Sequence, residues 1–259
     1  MNLGRIFVLA TNVFREVVRD RILYIIGFYT LILAAAIVLL PEFAASTEDK
    51  MFLDFGLAVM NILGLIVAVF VGTGLVNKEI EKRTVLVLIT KPVSHTEFIT
   101  GKYFGLLTVL AALIAAMTAI YLAFLHFGNV SHSTVSILIA VIFLFLQLAL
   151  ITAVAIALGV FTSSLLATAL TFAVYLIGNI TQDLVKLGRL GNNKSVENLT
   201  QGLYLLLPDL SRLDLKNDAV YGVAALPDSI ALITNAGYAL LYSVILLAIA
   251  IFIFSKREF

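Results

Sequence analysis

The chain alternates long uncharged stretches with short charged ones. Residues 22–40, 55–76, 103–125, 135–161, 165–181 and 230–254 contain no Asp, Glu, Lys or Arg. A bilayer core of about 30 Å takes roughly 20 apolar residues of helix to cross. The pattern therefore predicts six transmembrane helices in an all-α polytopic membrane protein. The fifth stretch is the shortest. Ser163 and Ser164 predict a tight turn between the fourth and fifth spans, because one bent helix over 135–181 would be far too long to cross once.

The segments between these stretches have patterns of their own. Over residues 3–20, Leu3, Phe7, Ala10, Phe14 and Val17 recur at helical spacing, with Arg5, Thr11, Asn12, Arg15, Arg19 and Asp20 among them. This predicts an amphipathic helix within residues 1–21 that lies in the membrane interface. The loop 77–102 opens with Asn77, Lys78, Glu79, Ile80, Glu81, Lys82, Arg83 and Thr84, runs apolar to Ile89 and breaks at Lys91-Pro92. Ser94 and Glu97 then have the spacing of a capping box. A short amphipathic helix, a proline stop and a fresh helix start are expected there. Residues 182–229 mix Asp183, Lys186 and Arg189 with an apolar run over 203–207 that ends at Pro208. That run is long enough to dip into one leaflet but too short to span, and 188–193 reads as a turn. With no internal repeat or linker, residues 1–259 form one domain.

Composition sharpens this picture. Hydrophobic residues make up 61% of the chain and charged ones 13%, against about half and a quarter in soluble domains. A net charge of +1 with no basic stripe excludes nucleic acid as a partner. Without cysteine there is no disulfide, thiolate metal site or cysteine nucleophile. Without tryptophan, any interfacial aromatic belt is Tyr and Phe. Charges at Arg5, Arg15, Glu16, Arg19 and Asp20 break up any leader-type apolar core, so insertion through the chain's own spans is expected. With the amino terminus inside, the inner segments carry Arg5, Arg15, Arg19, Arg21, Lys78, Lys82, Arg83, Lys91, Lys102, Lys256 and Arg257. The outer ones carry Lys50, Lys186, Arg189, Lys194, Arg212 and Lys216. The positive-inside rule then places both termini in the cytoplasm.

Catalytic chemistry is not written in this sequence. Gly101-Lys102 lacks the rest of a phosphate loop. His95, His126 and His132 have no ligand spacing, so no metal site is expected. No carboxylate pair sits within a span, and the lack of ionisable groups at membrane depth argues against ion-coupled transport. Any energy for transport would come from another chain.

The leader, the six spans and the loop 77–102 together resemble the ABC-2 family of ABC transporter permeases. The motifs that carry the resemblance are Glu79-Ile80-Glu81-Lys82-Arg83-Thr84, Thr90-Lys91-Pro92-Val93-Ser94 and Gly101-Lys102-Tyr103. Leu206-Leu207-Pro208-Asp209, Leu213-Asp214 and the ending Ser255-Lys256-Arg257-Glu258-Phe259 resemble the branch linked to multicopper-enzyme maturation. His95 stands where that pattern more often has Arg. The resemblance implies a non-catalytic permease in the cytoplasmic (inner) membrane of a prokaryote. It would pair with a second permease subunit, as a homodimer or heterodimer, and dock on a cytoplasmic ABC ATPase that binds ATP and Mg. The leader would be a connecting helix. Residues 79–89, with Glu79, Glu81, Lys82, Arg83 and Thr84, would be the coupling helix; an ordinary solvated charge run is the alternative.

Two polar stripes complete the reading. Asn61, Gly64, Ala68 and Gly72 share one face of span two. Thr168, Thr171, Tyr175, Asn179 and Gln182 share one face of span five. Small residues allow close helix approach and polar ones avoid lipid. The resemblance places these spans nearest the second subunit, so the stripes are expected to face each other across a dimer and border a translocation route. Packing within one subunit is the alternative. Functionally, an ATP-driven exporter competes with a force transducer that acts through residues 182–229 on an extracytoplasmic partner.

Overall fold

The computed structural model describes residues 3–17, 22–43, 47–81, 94–190, 198, 202, 204 and 207–256. Every regular element among them is helical. In chain order these are α1 (Leu3–Val17), α2 (Leu23–Phe43), α3 (Glu48–Glu81), α4 (His95–Phe127), α5 (Thr134–Phe161) and α6 (Ser164–Leu190). A 3-10 turn (Leu210–Leu213), α7 (Lys216–Val220), a second 3-10 turn (Val223–Ala225) and α8 (Ser229–Lys256) follow. Six of them, α2 to α6 and α8, are long and apolar enough to cross a membrane. They coincide with the six uncharged stretches. Extended backbone at Thr162 ends α5, and α6 restarts at Ser164, so the serine pair does mark a hairpin.

Helices outrun the uncharged windows at several ends. α4 begins eight residues before its window, where Ser94 accepts from the Glu97 N–H (3.2 Å) and Glu97 Oε2 accepts from the Ser94 N–H (3.1 Å). This capping box satisfies helix-end donors that would otherwise lack partners. α6 continues to Leu190, so Gly188 to Leu190, expected in a turn, remain helical. Once nucleated, a helix propagates at little cost, and Lys186 bonds Asp183 (3.1 Å) at i,i+3 spacing. Likewise Glu79 to Glu81 belong to the last turn of α3 rather than to a separate helix.

α3, α4 and α5 form the buried centre, with Leu57, Met60, Leu110, Met117, Leu148 and Ile151 in its core. At 15 residues α1 is too short to cross, and it packs along the first turns of α4. The face it presents there matches the expected one only in part: Phe14 and Val17 pack against the core and Ala10 meets Gly105, but other positions differ. Ile6 and Val13 are buried, Val13 to 1% exposure, whereas Phe7 is 74% exposed. α1 has two apolar surroundings, a neighbouring helix and the bilayer, and its hydrophobic residues divide between them.

Residues 207–228 form a folded cap. Leu210, Leu213, Leu215 and Ala219 are buried in the main core. Ser136 Oγ donates to the Ala219 carbonyl (2.9 Å), and Lys50 Nζ sits 4.7 Å from the Tyr221 ring centre. The cap thus closes the end of the bundle where α3 and α5 begin. Most of the apolar run 203–207 lies outside the described residues.

Candidate functional site

Three places concentrate polar chemistry: the junction around the start of α4, a ladder between α3, α5 and α6, and the latch that holds the cap.

At the junction, α1 and α4 approach to backbone contact. A β-carbon on Gly105 would sit 2.7 Å from Val13 Cβ and 3.0 Å from the Ala10 backbone. Arg5 of α1 pairs with Glu97 at 3.7 Å. Glu97 is only 4% exposed, so the capping carboxylate is also the counter-ion that ties α1 down. On another side Phe98 stacks on Phe254 of α8 (5.5 Å, 15°), and His95 meets the same ring edge-on (5.4 Å, 75°). Lys102 lies 5.6 Å from the Phe98 ring centre. The first turns of α4 therefore hold α1 and the last turn of α8 together, directly after the segment expected to couple to an ATPase. The backbone of Glu79 and Glu81 ends α3, while Lys82, Arg83 and Thr84 lie outside the described residues. The Arg5–Glu97 link escaped sequence reasoning: Glu97 was legible as a cap, but its partner is more than ninety residues away in sequence.

The ladder joins the two stripes directly. Asn61 Nδ2 donates to Tyr175 Oη (3.0 Å), and the Thr73 and Thr168 hydroxyls bond each other (2.9 Å). Gln147 Nε2 of α5 donates to Asn179 Oδ1 (3.0 Å), and Asn179 Nδ2 donates to the Tyr175 carbonyl (2.8 Å). Thr171 is buried and turns its hydroxyl back to the Ala167 carbonyl (2.7 Å). Gly64 and Gly72 admit Leu148 and Ala155 of α5, with Ala68 fully buried between them. The stripes thus meet inside one subunit, where α5 fills the small-residue face of α3. Interhelical hydrogen bonding and close packing account for these residue types. The Gln182 side chain lies outside the described residues. Among the described residues, Asn61, at 1% exposure, has no partner for its Oδ1, and Asn77 none for its Nδ2.

The latch is built around Asp209. Its carboxylate accepts from Arg212 Nε (3.0 Å) and Ser211 Oγ (2.6 Å), and its N–H donates to Tyr238 Oη of α8 (2.9 Å). Arg212 also donates to Tyr204 Oη (2.7 Å), its guanidinium carbon lies 5.2 Å from the Tyr238 ring centre, and its carbonyl accepts from Asn235 Nδ2 (3.2 Å). The bond to Asp209 holds the guanidinium charged even more firmly than usual. Nearby, burial and then the Asp214 carboxylate push the Asp218 carboxyl above its ordinary range. The cap enters against α6 at Gly178, where a β-carbon would lie 2.7 Å from the Pro208 carbonyl.

Among the described residues no group of three His, Asp or Glu side chains could hold a metal. The three sites hold helices and cap in register. Compared with known proteins, residues 7–259 match the family described as ABC-2 family transporter protein. No curated protein matches the chain.

Proposed function

This chain belongs to the ABC-2 transporter family as a multi-pass permease subunit of an ABC transporter, and on that premise we propose that it couples ATP hydrolysis by a separate cytoplasmic ATPase to export of a substrate. Family membership implies the ABC ATPase partner; ATP and Mg would be bound there and not in this chain. The observation that carries the coupling is the continuity of α3. Its apolar part ends at Leu75, but the helix runs on unbroken to Glu81. A load on residues 79–94 reaches the bilayer as a rigid-body push along α3. Through the capped start of α4 it also reaches α1 and α8. Glu79, Glu81, Lys82, Arg83 and Thr84 are the proposed contact with the ATPase. Both termini would then be cytoplasmic, in the inner membrane of a prokaryote. Reversing Glu79 and Glu81 to Lys should abolish co-purification with the ATPase while the protein stays in the membrane. Normal coupled ATPase activity in the doubly reversed protein would remove the assignment.

We further propose a dimer, formed on the outward side of α3 and α6. Ile62, Ile66 and Phe70 are exposed there at helical spacing, and Phe70 meets Phe172 edge-on (5.9 Å). Homodimer and heterodimer serve this reading equally. The closer resemblance to exporters linked to multicopper-enzyme maturation rests on sequence motifs alone.

One observation favours force transduction as a second reading. The cap buries its leucines in the end of the bundle, so a substrate passing through one subunit would have to displace core residues. An extracytoplasmic partner could instead be moved by the cap. Substrate flux in proteoliposomes containing the cognate ATPase supports export; ATP turnover with no flux supports transduction.

A further inference from the structure

The rim of the cap leaves apolar surface uncovered. Residues 219–227 contain no Asp, Glu, Lys or Arg. Within them Tyr221 and Val223 are more than half exposed, and Ala224 and Ala225 are exposed beside them. Gly222, at a φ of 90°, makes the turn that presents these side chains. The backbone there is largely self-sufficient. The N–H groups of Tyr221, Gly222, Ala225 and Leu226 donate to the carbonyls of Asp218, Ala219, Gly222 and Val223, all within 3.2 Å. A turn whose donors are paired internally leaves water at little cost.

Depth, continuity and chemistry say what covers this tip. Ser136, which bonds the Ala219 carbonyl, is in the first turn of α5, and Lys50, which lies against Tyr221, is in the first turn of α3. The tip therefore sits at the level where two spans begin, and Glu48, Asp49 and Lys50 mark that level as the edge of the bilayer. The chain then enters α8 at Ser229, and the first outward residues of that span are Ile230 and Ile233, both exposed to the surrounding lipid. Tyr221 beside Lys50 is an amphipathic ring next to an ammonium, a combination suited to the headgroup layer. A protein partner would find no charge on the tip and one side-chain hydroxyl. We propose that residues 221–226 rest in the interfacial layer of the leaflet on the cap's side, with Val223, Ala224 and Ala225 against acyl chains and Tyr221 at the headgroups. The cap is then held by the bundle at its centre and by lipid at its rim. This inference needs only that the chain spans a bilayer, not that it exports a substrate.

The sequence has neither tryptophan nor cysteine, so both can be introduced singly. Val223→Trp at the tip and Asn217→Trp, at an exposed polar position of α7, are reconstituted in phosphatidylcholine vesicles with iodide on both sides. Asn217→Trp should be quenched by iodide. Val223→Trp should lose most of that quenching and be quenched instead by phosphatidylcholine brominated on the upper part of its acyl chains. Tryptophan itself favours interfaces, so the tip is read a second way: Ala224→Cys should react with an impermeant maleimide more slowly than Asn217→Cys. Iodide quenching of Val223→Trp equal to that of Asn217→Trp would place the tip in water and overturn the proposal. Protection of Val223→Trp from both iodide and bromine would overturn it too, because protein, such as a second copy, would then cover the tip.

Discussion

A carboxylate as buried as Asp209, at 2% exposure, is tolerated only when its charge is matched and its lone pairs are occupied. Arg212 and Ser211 do both. Removing one partner of a buried pair costs about 3–5 kcal/mol; Arg212 is 35% exposed, so solvent screens part of the loss. Arg212→Ala should lower stability by about 2 kcal/mol, read as a reduced thermal midpoint in detergent. Arg212→Lys should not restore it, because one ammonium cannot reach both Asp209 and Tyr204 as the guanidinium fork does. Asp218 makes the opposite case. Its folded-state pKa is raised, so its contribution to stability is present at low pH and lost as pH rises through that raised value. Asp218→Asn should therefore stabilise the protein at neutral pH. The gain should vanish below the ordinary carboxylate value of about 3.9, which thermal midpoints taken across the range would reveal.

At the scale of elements, α1 is held by shape and, among the described residues, by the Arg5–Glu97 ion pair. Gly105 permits the close approach, since any β-carbon there meets the Ala10 backbone, which cannot rotate away. Gly105→Leu should lift α1 off α4. A cysteine replacing Val13, buried to 1%, should resist maleimide in the parent and react in the Gly105→Leu background; equal protection in both would show that the contact is not needed. The spans were legible because an uncharged run of twenty residues has few alternatives to crossing. Helix ends were less so. The serine turn at 163 and the Ser94–Glu97 box announce themselves by residue type, whereas α6 runs through Gly188 because an established helix tolerates one glycine at about 1 kcal/mol. α1 was legible as a helix and partly in its face: Ala10, Phe14 and Val17 do pack inward, whereas Phe7 is exposed and Ile6 and Val13 are buried, since its apolar residues serve two neighbours.

For the whole molecule, the legible part was the bundle and the hidden part was who touches whom. The spacing of Asn61, Gly64, Ala68 and Gly72 identified a packing face, yet nothing in it distinguishes α5 of the same chain from a second subunit. That distinction depends on three-dimensional closure. The cap was hidden for a similar reason: Leu210, Leu213 and Leu215 do not follow a helix or strand period, and they become core only when α5, α6 and α8 pack on the turn and α3 meets α7. The proposed dimer should follow the side left open. A single cysteine at Ile66 should crosslink between subunits, and one at Gly64, packed on Leu148, should not. The reverse result would place the small-residue stripe at the dimer contact.

The anchoring of the cap also bears on biogenesis. A chain emerges from its amino terminus and folds as it is made. α5 and α6, against which Leu210 to Leu213 pack, are complete before those leucines appear, but α8, which also packs there and carries the Tyr238 and Asn235 that fasten Asp209 and Arg212, comes after them. That end of the bundle is thus secured by residues the ribosome delivers only after α3, α5 and α6. A polypeptide stopped short of α8 carries its leucine plug without the fastening, and quality-control proteases would meet it in that unfinished state.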